Sequence, residues 1–519
     1  MTLKHAVASG LATALTASVL AQVPLTERSA LERALSANFD LQVEALTPQI
    51  AAQEILVEEA AFLPSAFAEA NYEDNRKSQN SIDFAALQQR LFEEENVVMR
   101  GGVGGKLPWG TTYEVSLQMR ELDNSVNRSG LPNALFSPEF DAFGGITLRQ
   151  PLLRGFGKAA NLANLRVARA QLLITERTRE IMVNNKCVEV LNAFYDLAYA
   201  EANVAVKQSA VGVADQFLNE TNRRRELGML SPVDVSEANV RVSEANEELI
   251  QARDFLRERQ LEMVRLLALP TSASGVTSLP TVDAVLLESA PVFSKAEFFP
   301  AALEARPDFQ LARERVGQES IRQAAARNEA LPQLDLHFSY GLYGLAGDYG
   351  DAIDRAYSAD EPQWSGGLSV TVPLSRRDGR AKSQAAALRL RQAELRVDQL
   401  EERISIEIEN AVSRLEVLGQ RLATARESVR FAEEGLNLER ARLENGQTSG
   451  FAVSELQRRL ADSRTRELAA RVDLTKAVTE LHSVSGRLLA HHGIEVTRDD
   501  SAATHRGLNI MAPFDALMQ

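Results

Sequence analysis

The chain repeats itself at constant register. Asp40 and Asp308 open matching segments, and the Leu-Pro pairs that end them, at Pro64 and Pro332, keep the same offset of 268. "GGITLRQPLLRGFG" from Gly144 then matches "GGLSVTVPLSRRDG" from Gly366 at an offset of 222. "VEVLNAFYDL" from Val188 matches "IEIENAVSRL" from Ile406, and Gly228 matches Gly446, both at 218. A fold that satisfies one copy must satisfy the other, so a duplicated architecture is expected.

Within each copy the pattern changes period. After Pro332, Leu334, Leu336, Phe338, Tyr340 and Leu342 alternate with Asp335, His337, Ser339 and Gly341. That is a strand with one apolar and one polar face. The first copy is weaker, with Ala66, Ala68, Ala70 and Tyr72 on the apolar side. A second strand follows each Gly-Gly. Next, Ile408, Ala411, Leu415, Leu418, Leu422, Ala425, Val429, Ala432 and Leu436 step by threes and fours, the seam of a coiled-coil-like helix. Residues 158–227 read as one helix of 70 residues, about 105 Å long. Glycine at 228 and 446 stops each long helix before a returning one. Each copy thus reads short helix, strand, strand, long helix, turn, long helix.

The segments divide as follows. Residues 1–21 have a basic start, a short apolar run and a small-x-small end at Ala21, and read as a cleaved signal peptide. The first repeat covers 22–269, the linker 270–293 is rich in Pro, Ser and Thr, the second repeat covers 294–490, and 491–519 form a tail. From Leu-Pro to Gly-Gly the first copy spans 80 positions and the second 34. The excess reads as an inserted hairpin at about 94–120, turning at Pro108-Trp109-Gly110. Joining strands one and two, it is expected on the extracellular side, either rising above the membrane or widening the wall.

Composition excludes several classes. A net charge of −14 argues against a nucleic-acid partner. No 18-residue apolar run follows residue 21, so no transmembrane helix is expected in the mature chain. The single cysteine, Cys187, rules out a disulfide framework and sits at helical spacing with apolar neighbours, so it reads as core. Six histidines show no zinc spacing, and no nucleophile elbow or phosphate loop occurs, so no enzyme, metal or cofactor is expected. A signal peptide, no apolar helix and amphipathic strands point instead to an outer-membrane β-barrel. Four strands per chain cannot close alone, so an oligomer is implied. The rival is a periplasmic coiled-coil scaffold or adaptor without a pore, which leaves the strands unexplained.

The order Leu-Pro-strand, "RQPLLRGFG" and "VTVPL", "NAFYDLAYA" and the two glycine turns resembles the TolC-like outer-membrane efflux protein family, from about Ser29 to Leu489. The resemblance implies a mainly α fold with a transmembrane β portion. Three chains would build a 12-stranded β-barrel continued by a periplasmic α-helical barrel. It implies a homotrimer in outer-membrane lipid, working with a periplasmic adaptor and an inner-membrane pump as the exit duct of an efflux or type I secretion system. It places the adaptor-docking turns at Leu227, Gly228 and Met229 and at Asn445, Gly446 and Gln447. It places a periplasmic gate near Asp234, Glu237 and Glu455, where threefold repetition would raise carboxyl pKa values. Ala452 stands where the second copy would match Asp234. The lipid-facing strand carries Leu334, Leu336, Phe338, Tyr340 and Leu342.

Overall fold

The computed structural model describes residues 24–494, except 82–83, 85–89, 126, 129–134, 273–274, 277–278, 292, 294, 359 and 446. The signal-peptide expectation, the tail beyond 494 and Gly446 lie outside the described residues. In chain order, helices α1 (Glu27–Ala37) and α2 (Phe39–Ala60) precede strands β1 (Ser65–Ser78), β2 (Leu91–Lys106), β3 (Thr112–Asn124) and β4 (Glu139–Pro151). Helices α3 (Lys158–Asn161), α4 (Ala163–Glu226) and α5 (Pro232–Leu266) follow, then the two-residue strands β5 (Thr271–Ser272) and β6 (Gly275–Val276). The second half holds α6 (Lys295–Ala305), α7 (Pro307–Glu329), β7 (Gln333–Ala346), α8 (Tyr349–Tyr357), β8 (Pro362–Thr371), α9 (Arg377–Glu444), α10 (Gly450–Val484) and α11 (Leu488–His491). No described helix is long and apolar enough to cross a membrane.

The chain forms two compact units, and each draws on both sequence copies. One comprises Val43–Ile181 and Arg306–Arg403. Its centre is an antiparallel six-stranded sheet in the order β1-β2-β3-β4-β7-β8. The duplication alone predicts four strands per chain; the sheet has six because the inserted hairpin, β2 and β3, lies between β1 and β4. The extracellular placement expected for that hairpin's turn is also overturned. The turn at Leu107–Thr111 lies at the edge of the sheet where the helices begin, because Lys106 pairs with Thr112 and Thr112 with Arg149.

Packing explains this placement. Trp109 accepts a hydrogen bond on its carbonyl from Gly157 N at 3.0 Å. Asn161 Nδ2 donates to the carbonyls of Gly155 at 2.6 Å and Gly157 at 3.0 Å. Gly110 has φ 104°, and a Cβ there would sit 2.3 Å from the Gly155 carbonyl oxygen. Only glycine fits at that approach.

The other unit comprises residues 24–42, Met182–Ala305 and residues 404–494. Its core is helical, with Leu191, Phe194, Leu197, Met263, Ile404, Ile408, Leu422 and Leu474 fully buried. The expected heptad seam is present: Ile408, Ala411, Leu415, Leu418, Leu422 and Leu436 are buried, and Ala425, Val429 and Ala432 half-buried. Cys187 is core, and burial pushes its thiol up to about 12. The linker packs rather than dangles: Leu25 N donates to the Thr281 carbonyl at 2.8 Å and Asp283 N to the Leu25 carbonyl at 2.9 Å. The expected 70-residue helix is interrupted at Leu162, leaving α4 with 64 residues, about 96 Å of helix.

Candidate duct wall, tip turns and gate

The sheet sorts its side chains by register. One row across the six strands runs Ala66, Val103, Val115, Ile146, Tyr340, Trp364, each the pairing partner of the next. Paired residues share a face, so period-two alternation spreads this apolar surface over the sheet. Leu336, Phe338 and Tyr340 are about two-fifths exposed, Leu368 and Val370 about two-thirds, Trp364 about three-quarters, while Leu334 and Leu342 are half-buried. An exposed apolar surface of this extent marks contact with lipid or another chain. From Leu334 to Leu342 it runs about 27 Å along the strand, or ~21 Å along the membrane normal at a ~40° tilt, close to the ~25 Å apolar band of outer-membrane barrels.

Beyond Leu342 the same face is covered. Gly344 has no side chain, and a Cβ there would meet the Ala352 carbonyl oxygen at 2.1 Å, so α8 lies directly on the strand. Ala142, Ala346, Ala352 and Ala356 form the contact, and Tyr349 packs on Phe140 with ring centroids 4.5 Å apart. Sequence reading found no sign of α8, because it lies in a loop outside the repeat register.

The opposite face carries charge that is internally paired. Arg120 bridges to Asp141 at 2.7 Å, Arg149 to Asp335 at 2.7 Å, and Arg100 to Glu114. His337 Nε2 lies 2.8 Å from Ser369 Oγ. Asp335 and His337 were legible as the polar side of β7; their partners were not, since partners follow from strand order. Two of these three ion pairs use residues of the inserted hairpin.

The two turns expected to dock the adaptor differ. Met229 N donates to the Arg224 carbonyl and Gly228 N to the Arg225 carbonyl, both at 2.9 Å. Gly228 takes φ 74°, which favours glycine. Leu227 and Met229 project, at 67% and 72% exposure, beside the basic run Arg223, Arg224, Arg225. At the second turn Gln447 N donates to the Arg442 carbonyl at 2.9 Å, and Asn445 Nδ2 to the Ala441 carbonyl at 2.9 Å. Gln447 is exposed but polar.

Within the protomer, Asp234 and Glu455 each have partners of their own. Asp234 closes a capping box: Ser231 N donates to its Oδ2 at 2.7 Å, and Asp234 N to Ser231 Oγ at 3.4 Å. Those bonds hold its carboxyl below the ordinary value. Arg458, at 2.7 Å, and Arg459, at 3.4 Å, do the same for Glu455. Both directions oppose the rise expected from a carboxylate ring, so the protomer contributes ionised acids. Glu237 is exposed on α5. Nearby, Arg241 donates to Ser454 Oγ at 3.0 Å and stacks over Phe451, 4.2 Å from its ring centroid. Arg241, Arg458 and Arg459 were missed from the sequence, since each lies among many helical charges and only the fold selects it. Among the described residues no cluster of His, Cys, Asp or Glu could hold a metal.

An amphipathic antiparallel sheet and two long helices in one chain point to the class of outer-membrane duct proteins. A profile of the family described as "Outer membrane efflux protein" matches residues 30–269 and 299–487, and the chain belongs to that family. It is similar to the outer membrane efflux protein BepC of Brucella suis biovar 1 (strain 1330), 23% identical over 363 residues, covering 68% of this chain and 74% of the relative. The fold is similar to the Campylobacter jejuni CmeC outer membrane channel, with TM-score 0.62, 13% identity, and 98% and 97% of the two chains covered. It is also similar to the Vibrio cholerae outer membrane protein VceC, with TM-score 0.61, 14% identity, and 89% and 96% covered. The family is one of channels in the outer membrane, and this chain is an outer-membrane exit duct.

Proposed function

We propose that three copies assemble into a passive conduit that receives cargo from an inner-membrane pump through a periplasmic adaptor. The assembly is of the tripartite efflux or type I secretion kind. The observation that carries this reading is the sheet: one broad apolar face, one face of paired ions, and, among the described residues, two open edges. A sheet with open edges is not stable in lipid, where every backbone N–H and C=O needs a partner, so closure through further copies is required. Leu334, Leu336, Phe338, Tyr340 and Leu342 then face lipid, and the Arg120–Asp141 and Arg149–Asp335 pairs face water.

In the same reading the turns at Leu227, Gly228 and Met229 and at Asn445, Gly446 and Gln447 dock the adaptor. Asp234, Glu237 and Glu455 repeat three times around the entrance and favour cations. Residues 1–21 direct export and are removed. Chemistry on the cargo is not part of this role.

The test is reconstitution. The chain expressed with its leader is extracted in detergent and placed in planar bilayers, with a pull-down of adaptor and pump alongside. Stepwise conductance and a threefold mass are expected. Release from membranes by salt alone, with no conductance, would replace this reading with a periplasmic scaffold.

A further inference from the structure

Resting on the trimeric reading above, we infer that the membrane wall is an eighteen-stranded barrel, each copy giving six strands and joining the next through β1 and β8. The structure puts the inserted hairpin in the wall on four independent grounds. First, β2 is bonded on both sides without a break: Ser65 opposes Gly104 and Ser78 opposes Leu91 on one side, while Glu94 opposes Asn124 and Lys106 opposes Thr112 on the other.

Second, the hairpin carries the wall's own two-sided pattern. Val97, Met99 and Val103, with Val115, Leu117 and Met119, continue the apolar face. Arg100, Glu114, Gln118 and Arg120 continue the polar one, paired through Arg100–Glu114 and Arg120–Asp141. A hairpin standing in water above the membrane has no use for that apolar side. Third, its turn is tied down at the helix end by the Gly157–Trp109 bond, so it cannot stand at the outer end.

Fourth, the two free edges suit each other. Strand directions alternate across all six strands, so β1 and β8 run oppositely, and β8 of one copy meets β1 of the next antiparallel. A head-to-tail interface of this kind closes into a ring when its rotation brings the third copy back to the first. Apart from Phe67, β1 is exposed throughout, as is all of β8, as expected of surfaces awaiting a second copy. Lys77 on β1, and Arg76 with its own partners Asp74 and Glu93, lie at the same end of the sheet as Asp360 and Glu361 ahead of β8, so the two edges present opposite charge at that end.

The consequence is a wider pore. With strands ~4.8 Å apart and tilted ~40°, twelve strands give a backbone diameter of about 24 Å and eighteen about 36 Å. Barrels of 16–18 strands hold an open aqueous channel.

The test uses the full chain in lipid nanodiscs, imaged by cryo-electron microscopy. A threefold particle with eighteen strands, about 36 Å across, is expected. A threefold particle with twelve strands and residues 91–124 outside the wall overturns the inference and leaves the duct reading standing. A particle without threefold symmetry removes both. A second arm keeps the inference exposed if imaging is limited by particle orientation. Val115→Cys and Tyr340→Cys, in the same register row two strands apart, are labelled with a small fluorophore in nanodiscs containing brominated lipid. The buried Cys187 thiol, pushed up to about 12, stays unlabelled. Equal quenching of both labels is expected. Quenching at Tyr340 alone places the hairpin outside the lipid wall and overturns the inference.

Discussion

Arg120 and Asp141 stand directly opposite each other on β3 and β4, with Nη2 to Oδ2 at 2.7 Å and the aspartate side chain only 5% exposed. The pair ties the inserted hairpin to a strand of the repeat. Removing the carboxylate strands a cation on the polar face, and a hydrogen bond to a charged group is worth about 1.5–3 kcal/mol. Asp141→Leu is therefore expected to lower the unfolding free energy of the reconstituted protein by about 2 kcal/mol. The exchange Arg120→Asp with Asp141→Arg should recover most of it. Urea unfolding in nanodiscs measures both. Equal stability of Asp141→Leu and the parent would mean the pair contributes nothing.

Phe338 and Ser339 are neighbours on opposite faces of β7. Arginine on a lipid face near the midplane costs about 2–4 kcal/mol, and on a lumen face far less. Phe338→Arg should reduce membrane assembly strongly, whereas Ser339→Arg should assemble as the parent does. Fractionation with a heat-shift gel separates them. Loss of assembly in Ser339→Arg but not in Phe338→Arg would show that the faces are assigned the wrong way round, and equal assembly would show that neither faces lipid.

The strands of the duplicated register were legible because alternation and the Leu-Pro and Gly-Gly marks survive in both copies. The seam from Ile408 to Leu436 was legible for the same kind of reason, a period that packing requires. The position of the hairpin was not. Its alternation at Tyr113, Val115, Leu117 and Met119 shows a strand, but strand order depends on which backbone edge Trp109 and Gly110 lead it to, and that is a tertiary contact. The gate acids illustrate a different limit. Asp234 and Glu455 occupy the expected sequence positions, yet Ser231 and Arg458 set their electrostatics, and helical sequence offers many possible partners for each.

The two tip turns predict unequal docking. The first offers exposed Leu227 and Met229, the second exposed Gln447. Burying a methionine side chain yields about 1.5–3 kcal/mol, and 1.4 kcal/mol is tenfold in affinity. Met229→Glu should therefore weaken adaptor binding by about tenfold or more, and Gln447→Glu by less than about threefold. Titration calorimetry with the adaptor reads the difference. Similar losses at both turns would show that the adaptor reads backbone shape rather than these side chains.

In the proposed gate, Glu455 bears on selectivity and on pH. Arg458 and Arg459 depress its pKa below 4.5, so its pairing is present above that value and is lost only as pH falls through the depressed one. The pairing is therefore expected to hold unchanged from pH 8 to pH 5. Glu455→Gln leaves Arg458 and Arg459 without this partner, and with Asp234→Asn it should shift the channel away from cations. Reversal potentials in a salt gradient measure the shift. Unchanged conductance and unchanged selectivity in the double variant would remove both residues from the gate.

His482 sets a separate acid limit on the helical unit. Burial first, then the charges of His491, His492 and Arg487, lower its pKa from 6.5 to about 4. Its Nδ1 is buried with no partner, and its ring stacks on His491 at 4.3 Å and packs edge-on against Phe293 at 6.2 Å. The folded state holds the ring neutral, while the unfolded chain takes up a proton below 6.5. The unfolded state therefore binds more protons between about 6.5 and 4, and stability falls with pH across that window. Its contribution is full above pH 6.5 and gone once pH drops through about 4. His482→Phe removes the titration while keeping an aromatic ring against Phe293. The unfolding temperature of the parent should fall from pH 7 to pH 4.5, and that of His482→Phe should fall less. Parallel curves for the two proteins would show that the acid sensitivity arises elsewhere.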